Sequence, residues 1–125
     1  MNEFENKAKN FYVLGRIAEK LKMYSEAASN YFKALAAIND FLLDKINLKA
    51  NDHSERFSLL KINFPIMYEL TDRLFVIYRR TYTQELNKEE IDLLKNKIKE
   101  AFKNAKISVP TDEEIERYTK KLSEK

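Results

Sequence analysis

The sequence predicts an all-α fold, an antiparallel helical bundle of about five main helices plus a short C-terminal helix, and three observations carry that prediction. Punctuation is sparse: one glycine and two prolines in 125 residues leave little for hairpins and argue for long helices joined by short polar links. Apolar residues recur at steps of three and four, the period of a helical face. Residues that cap helices stand where those stripes begin.

The elements follow in chain order. Between residues 3 and 21, Phe4, Ala8, Phe11, Leu14, Ala18 and Leu21 form one stripe, which Lys22 and Met23 interrupt. Ser25 is the expected cap of a second helix running to about Asn47, with Ala27, Ala28, Tyr31, Ala34, Leu35, Ile38, Phe41 and Leu42 inward. Five alanines between positions 27 and 37 would let the first helix approach closely. The polar link NLKANDHSE supplies Asp52 and Ser54 as caps for a third helix.

Pro65 offers no backbone donor and its ring clashes one turn back, so a break is expected at Asn63 and Phe64, with Pro65 opening a fourth helix that runs to about Tyr82. On that helix Ile66, Met67, Leu70, Leu74, Ile77 and Tyr78 form an arc that Tyr68 and Phe75 widen. The arc takes about half the circumference, against about 100° for a helix facing a single core. Such a helix is either central or at a subunit interface. Asn87 followed by Glu90 marks a capped fifth helix with Ile91, Leu94, Ile98, Ala101, Phe102 and Ala105 inward. Pro110 separates it from TDEEIERYTKKLSEK, a short helix with Ile115, Tyr118 and Leu122 to bury, which would dock, swap or fray.

Composition excludes several functions. Without cysteine there is no disulfide framework, thiolate metal site or cysteine nucleophile, and the reducing cytoplasm is the expected compartment. The opening MNEFENKAKN carries acids and asparagines where a secretory signal needs an apolar run, and no stretch approaches the roughly 20 apolar residues of a membrane span. A formal charge of +3 from 23 bases and 20 acids is too small to demand nucleic acid as a partner. His53 is the only histidine and has no clustered acids, so no metal site and no cofactor are expected.

Two resemblances add expectations. Phe11, Leu14, Gly15, Ala18, Tyr24, Ala27, Tyr31, Ala34 and Leu35 fall at the spacings of one tetratricopeptide repeat. Nothing comparable recurs, although such repeats need about three copies to bury their faces. The match implies an antiparallel helical hairpin or, as an alternative function, a peptide-binding adaptor.

Residues 4 to about 105 resemble the HEPN superfamily of helical-bundle domains, through KMYSEAASNYFKALAAINDFLL, NDHSERFSLL and YRRTYTQELNKEEIDLL in that order. This divides the chain into a HEPN-like bundle, 1–108, and a helical tail, 109–125. The wide arc of the fourth helix makes a homodimer through it the expectation, and the resemblance implies a nucleotidyltransferase as partner or ribonuclease activity of toxin type that needs no metal. Ribonuclease members carry an arginine followed four to six residues later by a histidine. The imidazole moves protons while the guanidinium clamps the phosphate. Here, with four residues between, Arg79 meets Gln84 and Arg80 meets Glu85. Gln84 cannot exchange a proton near neutral pH, so the expectation is a non-catalytic domain that binds RNA, a nucleotide or a partner protein at a dimer cleft. The candidate residues are Arg79, Arg80, Tyr82, Gln84 and His53.

Each candidate also has a purely structural explanation. Both arginines suit the negative end of a helix dipole, His53 suits a helix start, and Tyr78 and Tyr82 suit a core or interface. Arg79 falls at the margin of the apolar arc, where a partly desolvated charge would want a partner, while Arg80 shares the polar face with Glu69, Arg73 and Val76. Lys95, Lys99, Lys103 and Lys106 form a row on helix five that reads as a solvated face or as a phosphate track.

Overall fold

The computed structural model describes residues 2–123, the side chains of Leu122 and Ser123 excepted. Among them are six helices and no strand: α1 (Glu3–Lys20), α2 (Tyr24–Lys45), α3 (His53–Asn63), α4 (Pro65–Arg80), α5 (Lys88–Asn104) and α6 (Asp112–Ser123). The helices pack as a bundle around α2, which touches α1, α3, α4 and α5. No helix of the described residues is long and apolar enough to cross a membrane.

Local chemistry explains most boundaries. Asn2, Asp52 and Asn87 cap α1, α3 and α5 by accepting backbone N–H groups, and Asn87 with Glu90 forms the expected capping box. Thr111 and Glu114 make the same reciprocal pair at the start of α6. Phe64, with φ −140°, ends α3 and precedes Pro65 in the first turn of α4, as the proline requires. Ser25 is not a cap: α2 begins at Tyr24 behind Met23, which makes no side-chain capping bond. The α1–α2 turn is so tight that the backbone N–H of Met23 bonds back to Ala18, which leaves Ser25 already inside α2.

The α1–α2 hairpin is the most extensive pairing. Its inward face on α1 is Ala8, Tyr12, Gly15 and Ala18 with Val13, so the expected stripe is rotated: Leu14 and Leu21 are exposed and Phe11 is only partly buried. Tyr12 causes the rotation. Its ring packs edge-on against Phe102 of α5 at 5.6 Å and tilted against Tyr31 of α2 at 5.8 Å, filling the space among three helices. Gly15 lets Tyr31 lie directly on α1, since a Cβ there would sit 2.5 Å from the tyrosine ring.

All six inward residues expected on α5 are buried. The wide arc of α4 has a cause within the chain, because α4 touches α2, α3 and α5. Phe75 and Tyr78 meet Phe32 of α2, while Tyr68 and Phe75 meet Phe57 of α3. Ile66 leaves the arc and is exposed, lying in the first turn after the chain reversal. On α6, Ile115 is fully buried against the bundle and Tyr118 is exposed; Leu122, also expected inward, has its side chain outside the described residues.

Candidate functional site

Helix α4 ends at Arg80 and a tight turn through Thr81 carries the chain to Leu86, which is buried and anchors the link to α5. The candidate residues of this segment therefore sit on a held turn. Their roles differ from the sequence expectation. Arg80 pairs with Glu90 in the first turn of α5 and donates to Gln84 Oε1 at 3.4 Å. Arg80 thus fastens α4 to α5, and Gln84 accepts from it within the turn. Arg79, expected at the desolvated margin, is the exposed member of the pair, with its guanidinium 5.9 Å from the centre of the Phe75 ring. No carboxylate of the described residues pairs with it.

Val76, Arg79, Arg80 and Thr83 border an open groove of about 330 Å³. Tyr82 is 73% exposed, and its hydroxyl shares a 3.0 Å hydrogen bond with that of Tyr78. That bond, reinforced by partial burial, raises the Tyr78 phenol above its ordinary value. Tyr78 itself stacks flat on Phe32 at 4.6 Å. Tyr82 is therefore a tethered, solvent-facing ring beside an arginine.

His53 lies across the same aromatic cluster, 6.2 Å from Phe32, which in turn meets Phe75 beneath Arg79. Folding thus brings His53 and Arg79 to two margins of one cluster. The imidazole is already engaged, with Nδ1 2.9 Å from Arg56 Nη1. A guanidinium only donates, so Nδ1 accepts and the ring proton sits on Nε2. Arg56 is held in turn by Asp40 through two bonds of 2.8 and 3.0 Å. No local spacing marks this Asp40–Arg56–His53 chain, because its carboxylate lies 16 residues from its arginine.

The lysine row on α5 is broken at its first member. Lys95 and Lys88 both meet Glu19 Oε2 at 2.9 Å, and both also meet Asp92. Glu19 further accepts the Tyr31 hydroxyl at 2.7 Å. Burial by itself would raise the Glu19 carboxyl, but the bonds from Lys95, Lys88 and Tyr31 outweigh it and hold the group below its ordinary range. Burial first, and then this carboxylate, push the Tyr31 phenol far above its ordinary value. Among the described residues no cluster of three or more histidines and acids has the geometry to hold a metal ion. Compared with protein families, curated proteins and solved structures, the chain matches none.

Proposed function

We propose that this chain is a non-catalytic HEPN-like domain that binds single-stranded RNA or a nucleotide through Arg79, at a cleft between two copies. The observation that carries the reading is the state of Arg79: its guanidinium lies near the Phe75 ring, no acid of the described residues neutralises it, and a groove opens beside it. A phosphate would meet unspent N–H donors there, and the exposed Tyr82 ring offers a base a stacking surface. Val76, exposed next to Arg79, would lie at the seam between copies. A nucleotidyltransferase, the partner the resemblance implies, is the other occupant of that face.

A filter-binding titration with labelled single-stranded RNA tests the proposal. Arg79→Ala is expected to weaken binding at least tenfold, as loss of a charge-assisted phosphate contact of about 1.5–3 kcal/mol implies. Lys99→Ala should change it less than twofold. Equal small losses would remove the dedicated site. Metal-free cleavage of the same RNA that depends on Arg79 would instead make the chain a ribonuclease.

A further inference from the structure

A second basic groove, of about 190 Å³, lies between α1 and α2 and reaches Arg56 of α3. Its α1 wall is Phe4, Lys7 and Phe11, spaced by three and four residues and so on one helical face. Its α2 wall is Lys33 and Asp40, with Ala36 and Ala37 between them. The two methyl side chains are the reason space remains between helices that elsewhere pack in direct contact. Lys7 Nζ stands 6.0 Å from the centre of the Phe4 ring, and Lys33 Nζ stands 5.9 Å from that of Phe11.

The charge of this groove is not balanced from within. Asp40 is the carboxylate in its walls, and both of its oxygens are taken by Arg56. Lys33 pairs with no carboxylate of the described residues, and Lys7 meets the exposed Glu3 at 3.3 Å. Arg56 spends one N–H on His53 and two on Asp40, which leaves two of its five N–H groups uncommitted among the described residues. By contrast, Lys88 and Lys95 both face Glu19. Here two ammonium groups and a part-used guanidinium border apolar rings and methyl groups.

We propose that this groove binds a small aromatic phosphate monoester. The flat ring would lie over Ala36 and Ala37 beside the phenylalanines, where a thicker body would not fit. The phosphate would be shared by Lys7, Lys33 and Arg56, three donors suited to three oxygens. The site is separate from the groove at Arg79, and each proposal can fail without the other.

Phenyl phosphate is the probe, followed by chemical-shift perturbation on the full chain, with inorganic phosphate and cyclohexyl phosphate as comparisons. Saturable shifts are expected in residues 4–11, 33–40 and 56, with phenyl phosphate at least tenfold tighter than either comparison. Lys33→Ala, at an exposed position, should weaken it at least tenfold, and Ala36→Leu should abolish it by filling the groove. Arg79→Ala should leave it unchanged. If Ala36→Leu proves unfolded by circular dichroism, Lys33→Ala decides alone. Absence of saturation, equal affinity for cyclohexyl phosphate, an unchanged Lys33→Ala, or dependence on Arg79 would each overturn the proposal.

Discussion

Arg79 and Arg80 are adjacent, yet the fold places them in different surroundings, Arg79 against the Phe75 ring and Arg80 against Glu90. Arg80 reaches Glu90 on the next helix, and a half-exposed pair of this kind contributes about 0.5–1 kcal/mol. Arg80→Ala is therefore expected to lower the stability measured by urea unfolding by about that amount, while Arg79→Ala leaves the midpoint unmoved. Gly15 is a second residue whose role is set by one neighbour. Gly15→Ala would gain about 0.5–1 kcal/mol in helix propensity but would force its methyl into the fully buried Tyr31 ring, at about 1–3 kcal/mol. The net expectation is a lower thermal midpoint. Glu19 gives the chain an acid-sensitive joint. Because its folded carboxyl lies below the ordinary 4.5, its contribution is complete above that value and is lost as pH falls through the lower, folded value. In Glu19→Gln, unfolding followed by circular dichroism should show lower stability at neutral pH and a flatter decline below about pH 4.5.

At the scale of the element, helix ends were the hardest feature to read. α1, α2 and α5 all stop in a left-handed residue, and these are Lys22, Asn47 and Lys106, with φ near +60°. In each, the residue after it bonds back five positions, Met23 to Ala18, Leu48 to Leu43 and Ile107 to Phe102. Glycine is the usual stop signal, and here it is missing from every one of these stops. Lys22→Gly and Lys106→Gly should each relieve strain and raise stability by up to about 1 kcal/mol, read from urea midpoints. Helix α5, by contrast, was legible throughout, because its cap and its inward face both follow from local spacing and it meets the core along a single stripe. Helix α1 was misread by one position because it serves α2 and α5 at once, so its buried face is set by where Tyr12 fits. Helix α6 is held on α1 by buried Ile115 and by the Arg16–Asp112 pair at 3.0 Å. Ile115→Ala should speed hydrogen exchange across α6 while leaving α2 and α5 protected.

For the whole molecule, packing order decides what each charged or aromatic group does. Helix α2 carries the buried Tyr31, Phe32 and Ile38 and meets four other helices, so it is the structural axis. The wide apolar arc of α4 faces α2, α3 and α5, which leaves Val76 and Ile66 as its exposed apolar side chains. If two copies pair at the Arg79 cleft, Val76→Glu should yield a monomer in sedimentation equilibrium without loss of helix content.

Helix number, the break at Pro65, the capping box at Asn87 and the inward face of α5 were determined by the sequence alone, since each depends on residues within one or two turns of each other. Tertiary structure alone decided that Arg79 meets no carboxylate of the described residues while Arg80 does, that Glu19 gathers Lys88, Lys95 and Tyr31, and that Asp40 holds Arg56 against His53. The three carboxylates, Glu90, Glu19 and Asp40, draw their partners from 10 to 76 residues away. No periodicity along the chain records such a distance, because the Coulomb and hydrogen-bond terms that select the partners act only after the helices have packed.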